Sequence, residues 1–192
     1  DDAIVGLKRM FRDMSRSLDK KVALKINGLH CAVDRDLLEK IKAPINHLLR
    51  NAIDHGIENT QQREAAGKVK GATITLTSVH SAGMLRISIR DDGSGIDTAK
   101  LRDKLLSKEL ISSEMMGDLM DEELLEFLFL PDFSTRDEIS EVSGRGVGLD
   151  VVRDVVKELG GIVTVKNNPG LGVEFVMMLP LTLSVMSALL VD

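Results

Sequence analysis

The chain has 192 residues, 43% of them hydrophobic, a formal net charge of −5, one cysteine, and neither tryptophan nor tyrosine. That length suffices for one domain with a full core, while the negative charge and the missing stacking rings argue against nucleic acid as a partner. No run of eighteen or more apolar residues and no basic-then-apolar leader is present, so no direct membrane insertion is expected, and the lone Cys31 suits a reducing, cytoplasmic setting.

Leu7, Met10, Phe11, Met14 and Leu18 recur at helical spacing, which predicts a helix over 4–19; Val22, Leu24 and Ile26 then alternate as a strand. The next helix is predicted from an N-cap at Asp34 to Gly56, placed in the left-handed position past the helix end, with a kink or break at Pro44. Segments 72–79 and 84–90 alternate and read as an antiparallel hairpin joined by HSAG. Helices follow over 97–107 and 121–129 with a polar, methionine-bearing connection between them, and then a loop over 131–146 of the length typical of a lid. Helix 147–159 and strands 162–167 and 173–179 end the pattern. The fold class expected is a two-layer α/β (α+β) sandwich, a mixed and mostly antiparallel sheet covered on one face by helices. Residues 1–20 read as a lead-in from a preceding domain and 21–180 as the domain itself. The apolar tail 181–192 reads as the start of a following domain or linker, so the chain is expected to be a fragment of a longer protein.

Several stretches carry costly polar groups. In NHLLRNAIDHG, residues 46–56, His47, Asn51, Asp54 and His55 share an arc of roughly 100° opposite Leu48, Leu49, Ala52 and Ile53. This is either a solvated face or a site in which the Asn51 carbonyl meets a hard cation held mainly by phosphates, with His47 one turn away. DDGSGI, residues 91–96, is either a turn leaving the sheet or a site in which a buried Asp91 accepts a hydrogen bond from an exocyclic amino group such as that of adenine. Gly93 and Gly95 would then let backbone approach a base. In SGRGVGLDVVRDVV, residues 143–156, alternate glycines run into a helix, an arrangement that suits an anion as well as a flexible linker. FLFLPDFST, residues 127–135, and GLG, residues 170–172, read by themselves as core phenylalanines before a turn and as a hairpin turn.

In this order, HLLRNAIDHG, DDGSG, FLFLPDFST, GRGVG and PGLG resemble the N box, first glycine box, F box, second glycine box and third glycine box of one nucleotide-binding superfamily. It is shared by sensor histidine kinases, type II topoisomerases, Hsp90 chaperones and MutL proteins, the GHKL superfamily. HLLRNAIDHGIE, FSTRDEISEVSGRGVGLDVV and LPLTL are similar to the ATP-binding kinase domain of the CheA-type chemotaxis histidine kinases. The resemblance implies a Bergerat-type ATP-binding fold with a mobile lid, and ATP and Mg²⁺ as cofactors. It implies that Asp91 reads the adenine amino group, that Gly93, Gly95, Ile96, Phe133 and Ser134 also bind ATP, and that Asn51 and His47 place the metal. Asp54 and His55 would support the ribose and phosphate side, Gly144, Arg145, Gly146 and Gly148 would belong to the lid around the phosphates, and Val147 and Leu149 would also bind ATP. Lys104 and Lys108 match basic positions near the terminal phosphate.

In ATP-hydrolysing members a glutamate stands four residues before the asparagine; His47 occupies that place, so hydrolysis by that route is not expected. The activity implied is transfer of the γ-phosphoryl group to a histidine on a separate phosphoacceptor domain, in the same or a partner protomer of a homodimer. The partners implied are a downstream response regulator and, through other domains, receptor and coupling proteins. Two rivals stand beside it: an ATPase of the gyrase or MutL kind, and a non-catalytic nucleotide sensor in which ATP only orders the lid. Val173 departs from the pattern, since many relatives carry a threonine there, and a hydroxyl contact from that position is not expected.

Overall fold

A computed structural model describes residues 2–28, 35–131, 133 and 148–181. The amphipathic first segment forms α1, Asp2–Ser17, and the alternating one β1, Val22–Asn27. Helix α2, Arg35–Asn51, leads into a π-helical turn, Ala52–Gly56, and α3, Thr60–Ala65. Strands β2, Ala72–Ser81, and β3, Met84–Asp91, form the expected hairpin. Ala82 and Gly83 both have positive φ, 51° and 75°, as the tight two-residue turns that match strand twist require. Helices α4, Thr98–Ser107, α5, Ser113–Asp118, and α6, Asp121–Glu126, follow, and a 3₁₀ turn, Phe127–Phe129, extends α6. Helix α7, Leu149–Glu158, and strands β4, Ile162–Asn168, and β5, Gly172–Pro180, complete the described chain.

The five strands lie in the order β1-β2-β3-β5-β4, with β1 parallel to β2 and every other neighbour antiparallel. This is the mixed, mostly antiparallel sheet expected from the alternation. Ile74 and Leu76, Leu85, Ile87 and Ile89, and Phe175, Met177 and Leu179 share one buried cluster with Leu48, Leu49 and Ile53 from α2 and its π turn, and with Val152 and Val156 of α7. Threonines 73, 75 and 77 take the alternate positions of β2 and are only half-buried, so helices cover one face. Phe11 and Met14 of α1 belong to the same cluster. A second cluster, from Leu101 and Leu105 of α4, Met116 of α5, Leu124 and Leu125 of α6, Leu128 and Phe133, sits beside it. Ile96, Leu149 and Val165 pack against both clusters and form the seam between them.

Of the kink or break expected at Pro44 the break is absent, and the expectation for Gly56 is corrected. Helix α2 runs through Pro44 without a break; the departure from α geometry comes eight residues later, where the Ile57 N–H reaches back five residues to the Ala52 carbonyl at 2.9 Å. Gly56 is not left-handed, because the wider π turn ends the helix without needing a positive φ. Its lack of a side chain serves another purpose: a Cβ there would stand 3.2 Å from the Asp91 carboxylate. Carbonyls freed at a helix end need donors, and the half-buried Lys20 supplies them, its Nζ donating to the carbonyls of Ile53, Asp54 and Ile57 at 2.7 Å each. Lys20→Met is therefore expected to cost about 1–3 kcal/mol, read as a shift of the urea midpoint; an unshifted midpoint would show that the ammonium adds nothing to the π turn.

Candidate functional site

Asp91 closes β3 and is 4% exposed. Its Oδ1 accepts the backbone N–H of Gly93 at 2.9 Å and that of Val173 at 3.3 Å. Among the described residues no hydrogen bond is spent on Oδ2. Burial pushes this carboxyl above its ordinary pKa of 3.8, and the two backbone donors hold it partly back. The Val173 contact is main-chain, so the loss of a hydroxyl at that position leaves this bond untouched.

The loop after Asp91 is held on three sides. Ser94 N–H donates to the Gly56 carbonyl at 3.0 Å, and Gly170 N–H to the Ser94 carbonyl at 2.7 Å. The Asn167 side chain accepts from Ile96 N–H and donates to the Ile96 carbonyl, both at 2.8 Å, as one strand residue would pair with another. At Gly93 a Cβ would land on the Gly56 carbonyl oxygen, so only glycine permits the loop to press against the π turn. The hairpin turn of the third glycine motif thus also braces the Asp91 loop. A groove of about 780 Å³ opens beside it, lined by residues that include Asp54, His55, Lys68, Ser94 and Gly170.

On α2 and the π turn, His47, Asn51 and Asp54 are half-buried, whereas Leu48, Leu49 and Ile53 are fully buried on the opposite side. His55 Nε2 lies 3.5 Å from Asp54 Oδ2. Burial, then the positive charge of Arg50, lower the His47 pKa below 6.5; Asp150 opposes them and His55 adds to them. The imidazole is therefore neutral at pH 7, with a ring nitrogen free to act as an acceptor or ligand. Helix α7 packs against α2, with Val152 and Val156 in the same cluster as Leu48 and Leu49. Neither Arg50 nor Asp150 had a signal in the sequence that tied it to His47. Gly148 precedes α7 and gives no side-chain cap, leaving the backbone N–H groups at that helix start to other acceptors.

Lys104 and Lys108 lie on the second cluster, one turn apart, at the end of α4. Lys108 Nζ stands 5.6 Å over the ring centre of the buried Phe133, so the structure joins a residue expected near the terminal phosphate to one from FLFLPDFST. Ile96 and Leu149, both expected at the site, each pack against both clusters. Ser134, Gly144, Arg145, Gly146 and Val147 lie outside the described residues.

Residues 39–183 match the family model described as histidine kinase-, DNA gyrase B-, and HSP90-like ATPase. The chain is 43% identical over 190 residues to a chemotaxis protein CheA of Halobacterium salinarum, covering 98% of this chain and 28% of that one. It is 42% identical over 183 residues to a gliding motility regulatory protein of Myxococcus xanthus, covering 95% and 24%. The chain thus spans roughly a quarter of the length of these curated relatives. Among solved structures, the catalytic domain of the histidine kinase ThkA aligns with a TM-score of 0.55 at 21% identity, covering 95% of this chain and 92% of that one, a likeness of fold.

Proposed function

Since the chain belongs to the histidine kinase-, DNA gyrase B-, and HSP90-like ATPase family, we propose that it is the catalytic core of a chemotaxis-type histidine kinase, cytoplasmic in its setting. It binds Mg-ATP and passes the γ-phosphoryl group to a histidine on a separate phosphoacceptor domain. One observation carries the reading: the buried Asp91 carboxylate has one oxygen committed to two backbone donors and the other unspent. Among the described residues no buried side-chain polar atom lacks a partner, so the unspent Oδ2 of this otherwise buried residue meets solvent, where it matches a ligand that brings an amino group.

In this reading Asp91 Oδ2 accepts the adenine amino N–H, and Gly93, Gly95 and Ile96 bring backbone to the base. Leu149 and Phe133 offer apolar surface near it, and Asp54 and His55 serve the ribose and phosphate side. Ser134 and the stretch Gly144, Arg145, Gly146, Val147 and Gly148 cover the phosphates. Among the described residues no group of three or more His, Cys, Asp or Glu could cage a metal ion. The donor set at Asn51 and His47, a carbonyl oxygen and a neutral imidazole, fits a magnesium carried mainly by phosphate oxygens. When bound, the ion neutralises charge that develops on the phosphates. Asn51 and His47 hold that end of the nucleotide, and Lys104 and Lys108 lie toward the terminal phosphate. Catalysis is then mostly in-line positioning and charge neutralisation. His47 stands where hydrolysing relatives carry a glutamate, which favours transfer over hydrolysis. The partners in this reading are the acceptor domain in the same or a partner protomer of a homodimer, a response regulator, and receptor and coupling proteins reached through other domains.

The test is to follow γ-labelled phosphate from Mg-ATP with and without a separately supplied histidine-bearing acceptor domain. Acid-labile label on the acceptor, with little free phosphate in its absence, is expected. His47→Ala should lower that transfer by about 10²-fold, as loss of positioning does, while ATP still binds. Rapid phosphate release without acceptor would replace this reading with an ATPase, and bound ATP without turnover would replace it with a sensor module.

A further inference from the structure

Behind the Asp91 loop lies a group of four charged side chains: Glu58 and Asp92 fall within HLLRNAIDHGIE and DDGSGI, whereas no motif marks Arg63 or Lys68. Arg63 of α3 is 2% exposed, the bulkiest of the fully buried side chains. Its Nε donates to the Val69 carbonyl at 2.9 Å, its Nη1 to Glu58 Oε2 at 3.0 Å and the Asp92 carbonyl at 3.2 Å, and its Nη2 to Asp92 Oδ2 at 3.2 Å. Lys68 Nζ donates to Glu58 Oε1 at 2.6 Å, to the Asp92 carbonyl at 3.1 Å and to the Gly93 carbonyl at 2.7 Å. Thr73 N–H holds the remaining Asp92 oxygen at 3.0 Å.

The Asp92 carbonyl and the Gly93 N–H belong to one planar peptide unit and point in opposite directions. Two cations grip its carbonyl end; its N–H end sits on Asp91 Oδ1. Rotation of that plane would take the N–H off the carboxylate and leave both Asp91 oxygens without it. A cation on the carbonyl also polarises the same amide and strengthens it as a donor. We propose that Arg63 and Lys68 are positioning residues of the base pocket: by holding the Asp92–Gly93 peptide plane, they keep Asp91 Oδ1 occupied and Oδ2 open to an exocyclic amino group. This rests on the nucleotide reading above. Lys68 lines the groove beside the Asp91 loop, but its ammonium is committed to Glu58 and to the Asp92 and Gly93 carbonyls, so each cation acts on recognition through one peptide and Asp91.

Lys68→Met is the variant of choice, because Lys68 is less buried than Arg63 and leaves the guanidinium on both carboxylates. Dissociation constants are measured for ATP and for purine riboside triphosphate, which lacks the amino group, in the wild type, Lys68→Met and Asp91→Asn. Hydrogen exchange of the Gly93 amide is followed in the ligand-free wild type and Lys68→Met. The wild type is expected to prefer ATP, and Lys68→Met to lose about tenfold in ATP affinity with little change for the analogue, alongside faster Gly93 exchange. Equal weakening of both nucleotides, or an unchanged preference, overturns the positioning role even where Asp91→Asn abolishes the preference. Unchanged Gly93 exchange overturns it without reference to any nucleotide. A wild type with no preference for ATP overturns the adenine reading itself, and the positioning role with it.

Discussion

Asp91→Asn is expected to weaken ATP binding by about 10- to 150-fold while leaving the fold at least as stable as before. The lost bond is charge-assisted and buried, a class worth about 1.5–3 kcal/mol. The asparagine oxygen can still accept from Gly93 and Val173, the two donors that now hold Oδ1. That assignment turns the amide nitrogen toward the position of Oδ2, so a donor would face the donor of adenine. Stability moves the other way because burial raises the Asp91 pKa. A carboxyl raised in the fold is held as the neutral acid more readily there than in the unfolded chain. Its favourable contribution is complete below the ordinary value of 3.8 and is lost as pH rises through the folded value, where a charge must be kept in a desolvated place. Asparagine removes that charge. The variant should therefore melt no lower than the wild type at pH 7, and its advantage should shrink as pH falls toward 3.8. Calorimetric titration with ATP and thermal melts across pH read the two effects separately. Unchanged affinity would sink the adenine assignment, and a markedly lower melting temperature would make Asp91 an anchor of the loop.

What the residues announced and what they hid follow from the range of the forces involved. Alternation in β2 and β3 and the apolar stripe of α2 are local patterns repeated over many residues, and the sheet and its covering helices follow from them. The end of β3 at Asp91 was legible from the alternation, but aspartate and glycine are also ordinary turn residues, so the residues alone left DDGSGI open between a turn and a site. Helix α3 escaped because its sequence TQQREA has no apolar stripe; its one local signal, the capping box between Asn59 and Gln62, was there to be read. Helix α5, six residues behind a Ser112 cap, is too short for periodicity to register. The π turn is decided by one bond between Ala52 and Ile57, and no residue type demands it. Asn167 and the Val173 N–H reach the site across the sheet, through contacts that a linear pattern does not encode. Arg63 reads in sequence as one more solvated charge, because its burial depends on acidic partners that folding brings from both flanks.

Those partners make Arg63→Met the substitution with the largest expected cost to stability. Replacing a buried ion pair wholesale can be neutral, but removing one member strands the other, typically at about 3–5 kcal/mol. Glu58 keeps Lys68, and Asp92 is 40% exposed and partly solvated, so the lower end, about 3 kcal/mol, is the expected loss. For a domain of this size that is a drop in melting temperature of about 6–12 °C. The pH dependence identifies the cause. Burial alone would raise the Glu58 pKa, yet its bonds to Lys68 and the backbone and the charges of Lys68 and Arg63 outweigh burial and bring it below 4.5. A carboxylate depressed in this way stabilises the fold above 4.5 and loses that contribution as pH falls through the folded value. The gap between wild type and Arg63→Met should thus be widest near neutrality and narrow below pH 4.5. Adding Glu58→Gln to Arg63→Met should recover part of the loss, because the stranded charge is gone. A gap that ignores both pH and Glu58→Gln would mean that Arg63 stabilises through the packing of its stem and its bond to Val69. The charges would then be passengers, and the grip on the Asp92–Gly93 peptide would rest on Lys68.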